Sequence, residues 1–210
     1  MTNRERAGGE QKLLESFLPS QSLTDREVIR FSHGEEIRIL PDVNVLKIGG
    51  QSIMDRGRAA VYPVLDEIVR NKGKHKMILG VGGGTRSRHA YTIAADLDMP
   101  TGILAKLGAS ISRQNARILQ MLLAKHGGVH LLQEQFETIP LLVATGSIPI
   151  FHGMPPYEYW ERPPARGRIP EHRTDVGVYL MAEVLGAKSM IFIKDEDGLY
   201  TDDPKKNPTA

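Results

Sequence analysis

The sequence predicts an α/β protein, a three-layer αβα sandwich on a mostly parallel sheet, and three observations predict it. Short runs rich in Val, Ile and Leu recur along the chain, several of them end in glycine or lysine, and stretches of helical periodicity separate them. A parallel sheet is covered on both faces, so its strands read as unbroken apolar runs, and helices usually supply its crossovers.

Taken in order, residues 43–48 and 76–81 are expected strands closed by glycines. A helix from Asp55 to about Arg70 separates them, and Pro63 kinks it or delays its start. A long helix is expected between Thr101 and His126, with Leu104, Leu107, Ile111, Ile118 and Leu122 on one face and Asn115 on that same face. Further strands are expected over residues 129–132, 144–151 and 190–193, the last preceded by a helix from Thr174 to about Leu185. Residues 1–40 read as an N-terminal appendage. Leu13, Leu14, Phe17 and Leu18 offer a short amphipathic helix, and Thr24 with Glu27 a capping box. That appendage is either a solvated tail or an arm against a neighbouring subunit, and residues 41–210 form the main domain.

Composition excludes several kinds of chemistry. With 27 basic and 25 acidic residues among 210, the net charge of +2 gives no general argument for nucleic acid or a membrane surface. The absence of Cys removes disulfides, thiolate metal ligands and thiol nucleophiles together. There is no apolar signal core at the start and no window of about 18 apolar residues, so a cytoplasmic protein is expected.

The ends of the expected strands carry the informative residues. Lys47-Ile-Gly49-Gly50 closes the first, and Gly82-Gly83-Gly84 closes the second, followed by Thr85, Arg86 and Arg88 at the start of a helix. Glycines let backbone N–H groups approach an anion, and lysine or arginine adds charge; the same glycines also serve ordinary tight turns. Arg173-Thr174-Asp175 opens the helix that precedes the last strand, where Thr174 could cap the helix and Asp175 favour its dipole. After the last strand come Lys194, Asp195, Asp197, Gly198, Tyr200, Asp203, Pro204 and Lys205, a polar loop at a strand's carboxyl end where open α/β sheets bind ligands.

The order Asp197-Gly198, Tyr200-Thr201, Asp203-Pro204 resembles the ATP loop of the amino acid kinase family. The resemblance implies an ATP site, with Mg²⁺, formed by Lys47, Gly49, Gly50, Gly82, Gly83 and the loop residues just named. Asp175 then orients Lys47 and Lys194 on the transferring phosphoryl group, which is a task of positioning and electrostatics. Lys47-Ile-Gly-Gly-Gln-Ser52, Asp55-Arg-Gly-Arg58, Thr85-Arg-Ser-Arg-His89, Gln114-Asn115, Gly153-Met-Pro-Pro-Tyr157, Ile169-Pro170 and Arg173-Thr-Asp175 are similar to the molybdenum-storage branch of that family. Lys194-Asp-Glu-Asp-Gly198 is similar to its β-type chains; the Glu at position 194 and the histidine cluster of α-type chains are not here. The resemblance implies an ATP-binding subunit that packs molybdate or tungstate as polynuclear oxide clusters in a hexameric cage. Its partner is an α-type subunit in a heterohexamer, or further copies of itself in a homohexamer. It further implies that the domain continues past Ala210, so that the fold is incomplete at the C-terminus.

His152 and His172, flanking the Pro-rich segment, are the histidines expected to touch an oxometalate, unless they are ordinary loop residues. Six prolines between Pro149 and Pro170 suggest that residues 153–172 form a rigid wall of an oxoanion cavity or of a subunit contact. Two readings compete with storage. One is a uridylate-kinase-like enzyme with Arg86 or Arg88 on the acceptor phosphate, and the other is an inert assembly subunit of the same fold.

Overall fold

A computed structural model describes residues 37–156, 169–196, 198, 200–202 and 206–207. Its strands are β1 (Val43–Ile48), β2 (Lys76–Val81), β3 (Gly128–Leu131), β4 (Ile148–His152) and β5 (Ser189–Ile193). They lie in the order β3-β4-β2-β1-β5, and every neighbouring pair is parallel. The helices are α1 (Arg58–Asn71), α2 (Thr85–Asp96), α3 (Thr101–Leu123), α4 (Ile139–Ala144) and α5 (Thr174–Val184). The three-layer expectation holds.

Along β1, β2 and β4 both faces of the sheet are largely buried, which is why these strand sequences do not alternate, while Ile191 and Phe192 on the edge strand β5 are exposed. Leu46, Ile48, Leu79, Val81 and Ile150 pack with Val61, Leu65 and Ile68 of α1 and with Ala116, Leu119 and Leu123 of α3. On the opposite face, Val43, Val45, Ile78 and Phe151 meet Ile139 and Val143 of α4 and Val178 and Ala182 of α5. The period of two along β1 therefore sends Lys47 to the same side as Val45, towards α5. Gly80 makes that approach close: a Cβ there would lie 2.2 Å from Val178 Cγ2.

Three elements differ from their sequence expectations. The helix expected from Asp55 is a 3-10 turn, Met54–Arg56, followed by Gly57 at φ 64°, and α1 begins only at Arg58 with Pro63 in its interior. On α3 the buried stripe keeps Leu104 and Asn115 but is rotated to take in Ala105, Ala109, Ala116, Leu119 and Leu123, while Ile118 is 47% exposed. Small residues there bring the helix close to its neighbours, whereas the periodicity reading weighed only large ones. Residues 144–147, expected in a strand, end α4 and turn at Gly146 (φ 79°). Pro140 in the first turn of α4 is compatible with a helix start, and β4 runs on through His152. No helix among the described residues is long and apolar enough to cross a membrane.

Candidate functional site

The carboxyl ends of β1, β2 and β5 and the start of α5 surround a cleft of about 690 Å³. Two glycine loops form its floor and touch each other: a Cβ on Gly50 would lie 2.2 Å from Gly84 N and 2.8 Å from Gly82 C. Gly84, at φ 72°, is the cap residue before α2, and any Cβ on it would sit 2.4 Å from Asp55 Oδ2. That carboxylate accepts the Thr85 N–H at 2.5 Å, which ties the turn after β1 to the first residue of α2. From the other side Asn115 Nδ2 donates to Gly82 O at 2.7 Å and Gly83 O at 3.2 Å, so α3 also holds the second loop. The sheet ladder uses the N–H groups of Gly49 and Gly82, which donate to Ile193 O and Ile48 O. These two glycines therefore shape the floor, and amides further along the loops are the ones left to face an anion.

The charges in the cleft are paired. Asp175 stands between two lysines, with Lys47 Nζ 2.5 Å from Oδ1 and Lys194 Nζ donating to Oδ2 at 2.7 Å. Lys47 is 5% exposed, and burial lowers its pKa despite the opposing attraction of Asp175; Lys194 and Arg173 push it the same way as burial. Burial raises the pKa of Asp175, but Lys47 and then Lys194 outweigh it and hold the carboxyl below its ordinary range. Arg56 pairs with Asp195, closing the cleft between the turn after β1 and the segment after β5. Arg88 and Arg173 line the opening.

Lys47, Gly49, Gly50, Gly82, Gly83, Asp175, Lys194 and Asp195 thus come together as the sequence suggested. Thr174 is the first helical residue, Arg173 holds the cap position, and no side-chain cap bond forms, so Asp175 belongs to the lysine pair and not to a cap. Of the two arginines expected to seek an anion, only Arg88 lines the cleft. Arg86 donates to Gln114 Oε1 at 2.9 Å and to Asn115 Oδ1, away from it. Gly198 and Tyr200 do not line the cleft, and Asp197, Asp203, Pro204 and Lys205 lie outside the described residues, as do residues 157–168 of the Pro-rich segment. His152 is fully buried at the end of β4, and neither it nor His172 lines the cleft. Sequence reasoning gave no role to Asp55 or Arg56. They stood in the Asp55-Arg-Gly-Arg58 run that carries the resemblance, but an acidic and a basic residue in a short turn after a glycine pair do not by themselves say what they contact.

A parallel sheet with a lysine-flanked double glycine floor at its strand ends defines an α/β protein, and the profile of the amino acid kinase family matches residues 42–210; the chain belongs to that family. It is 52% identical over 198 residues, 94% of this chain and 73% of the relative, to the molybdenum storage protein subunit beta of Azotobacter vinelandii. It is also 29% identical over 144 residues to the uridylate kinase of Pyrococcus abyssi, covering 69% of this chain and 57% of that enzyme. Among solved structures, the uridylate kinase of Archaeoglobus fulgidus superposes with a TM-score of 0.59 at 21% identity over 79% of this chain and 69% of its own. UMP kinase from Ureaplasma parvum gives 0.58 at 18% identity, over 78% and 74%. At such identities the structural likeness speaks for the fold alone.

Proposed function

We propose that this chain is an ATP-binding subunit for the storage of molybdenum, or of tungsten in its place, assembled with an α-type partner. The observation that carries the proposal is the 52% identity, over 94% of the chain, to a protein named for molybdenum storage. The cleft supports the nucleotide part. Its glycine loops line an open cleft of about 690 Å³, and Lys47 and Lys194, held by Asp175, supply fixed positive charge to an anion there. ATP, when bound, would supply a transferable phosphoryl group, and the role of Asp175 is to keep both ammonium groups in place while charge builds on it.

The described residues fit Mg²⁺ poorly. Asp55, Asp175 and Asp195 each already hold a protein donor, and no group of three or more His, Asp or Glu among the described residues could hold a metal ion. Residues 41–210 act in this reading as the nucleotide-binding domain and residues 1–40 as an arm towards a neighbouring subunit. The cargo is oxometalate packed as polynuclear clusters within a hexameric assembly.

Uridylate kinase relatives and the position of Arg88 in the cleft define the rival reading. The two separate on one preparation of the full chain, co-expressed with an α-type subunit in medium containing molybdate or tungstate. Retained Mo or W by elemental mass spectrometry, with no phosphorylation of UMP, is the expected result. UMP turnover without retained metal would replace storage by the kinase.

A further inference from the structure

Asp55 is held differently from Asp175 and Asp195, which share the cleft with it. Lysines neutralise Asp175 and an arginine neutralises Asp195, whereas Asp55 Oδ2 accepts the Thr85 N–H, and no cation pairs with it among the described residues. Its place is the amino end of α2. That helix draws no side-chain cap from Gly84 and carries no acidic residue in its first turn, so the partner of its leading amide comes from the turn after β1. A Cβ on Gly84 would lie 2.4 Å from Asp55 Oδ2 and 2.5 Å from Oδ1, which sets the whole carboxylate over the last glycine of the loop. The backbone beneath it is fastened as well. The Asp55 N–H donates to Gly50 O at 2.9 Å and the Met54 N–H to Gly49 O at 3.1 Å, both in the first glycine loop.

A helix start with outward backbone amides, glycine beneath and an arginine one turn on is a ready seat for a phosphate group. Arg88, one turn into α2, lines the same cleft. Here, however, a carboxylate already holds the amide that a phosphate oxygen would take, and its charge repels a phosphate dianion. The two lysines lie elsewhere on the floor. Lys47 is on β1 and Lys194 follows β5, while α2 follows β2, so a phosphate chain held by the lysines has no need of the α2 end. The cleft therefore has one anion place served by lysines and a second whose leading amide is taken.

We propose that Asp55 is a specificity-determining residue: by covering the amino end of α2 it excludes a phosphorylated acceptor, such as a nucleoside monophosphate, and leaves the cleft to a nucleotide alone. The inference rests on the reading of the cleft as a nucleotide site. A bound triphosphate is then denied the acceptor that a kinase would seat beside Arg88. A kinase fold can in this way hold a nucleotide without acting as a nucleoside monophosphate kinase.

The test measures, by calorimetry, the binding of inorganic phosphate and of UMP to the full chain already saturated with AMP-PNP, a non-hydrolysable ATP analogue. Asp55→Asn keeps an oxygen for the Thr85 N–H and removes the charge, whereas Asp55→Glu keeps the charge. Asp55→Asn should bind phosphate and UMP more tightly than the parent, by about tenfold or more in Kd, and Asp55→Glu should not. Arg88→Gln added to Asp55→Asn should cancel the gain, which locates the new anion at the start of α2. Melting curves without ligand show that each variant folds, and if Asp55→Asn does not melt cooperatively, Asp55→Ser repeats the comparison. Unchanged phosphate and UMP isotherms in the folded uncharged variant overturn the proposal, as does an equal gain in Asp55→Glu or a gain that survives Arg88→Gln. A parent that fails to bind AMP-PNP removes the nucleotide reading and this inference together, whereas AMP-PNP binding with unchanged isotherms removes this inference alone.

Discussion

The cleft and a second cavity of about 600 Å³, with Arg86, Arg113, Arg117, His130 and Gln135 among its walls, treat charge in opposite ways. In the cleft three carboxylates have a cation or an amide in contact: Asp175 with Lys47 and Lys194, Asp195 with Arg56, and Asp55 with the Thr85 N–H. Beside α3 the cations have no carboxylate in the cavity wall, and buried donors and ring nitrogens stay without partners. A self-paired site is rigid before its ligand arrives, so it can aim two ammonium groups without a large rearrangement. An unpaired one stores unfavourable free energy that a ligand of the right charge relieves. The contrast separates a region whose charges are held by one another from a region whose buried polar atoms are left unmatched.

The largest test of this contrast is Gly50→Val. The structure places the missing Cβ against the backbone of Gly84 and Gly82, so a side chain there drives the two loops apart as well as crowding a phosphate. Because backbone cannot yield as a flexible side chain can, we expect a loss of about 3 kcal/mol or more in unfolding free energy. Nucleotide binding should go with it. In the same urea titration, Arg113→Gln on the cavity side should stay within about 0.5 kcal/mol of the parent. Equal destabilisation by both would show that the two regions are packed alike.

Acid should strike the cavity side first. Burial, then Arg113, His130 and Lys106, push the pKa of His152 from 6.5 down to about 4, with Glu134 opposing them. The unfolded chain therefore takes up this proton near pH 6.5, whereas the folded one resists until about pH 4. The stability that His152 contributes is fully present above the unfolded value and falls as the pH drops through that window. At 1.36 kcal/mol per pH unit, the whole window is worth about 3 kcal/mol. His130 is shifted in the same direction, by burial and then by Arg117 and Arg113. Asp175, whose pKa is lowered, keeps its contribution until the pH falls below the ordinary carboxylate range, so the two effects are separated in pH. Urea midpoints at pH 8 and pH 5 for the parent and His152→Gln check this. A parent midpoint that does not move, or the same slope in the variant, would rule it out.

How much of this was legible in the sequence follows from what kind of signal each part leaves. The sheet was readable because strands buried on both faces must be continuously apolar. The cleft floor was readable because two successive strands end in glycine and a lysine stands beside the first pair. The rotation of α3 was not, since Ala105, Ala109 and Ala116 bury a surface by closeness and do not register as large apolar residues. Gly50 carried no hint that its contact is the other glycine loop, because that contact joins residues more than 30 positions apart and depends on β1 and β2 lying side by side. His152, placed by the sequence just past the end of a strand, instead closes that strand with no exposed surface. The cavity beside α3 left the weakest trace. Its residues come from α2, α3 and the end of β3, and only the fold brings them together.

The smallest effect tests the pairing inside the cleft itself. Were Asp175 only an acidic residue in the first turn of α5, Asp175→Asn would remove a dipole interaction worth about 0.3–1 kcal/mol, and it would do so whether or not either lysine was present. A bridging carboxylate behaves differently. Two double-mutant cycles, Asp175→Asn with Lys47→Met and Asp175→Asn with Lys194→Met, read the coupling from unfolding free energies. Lys194 and Asp175 have side chains 39% and 43% exposed, so solvent screens their attraction and their coupling should not exceed about 1 kcal/mol. The Lys47 side chain is 6% exposed, which leaves its attraction less screened, and its coupling should be larger, on the order of 2 kcal/mol. Raising the salt concentration to about 1 M, where the screening length falls to about 3 Å, should erase much of the first coupling and leave most of the second. If both couplings were near zero, Asp175 would be a helix-start residue and the cleft would lose its claim to be self-paired. If the two were equal and equally sensitive to salt, Lys47 would be no more protected than Lys194, and the buried lysine would not be the fixed half of the pair.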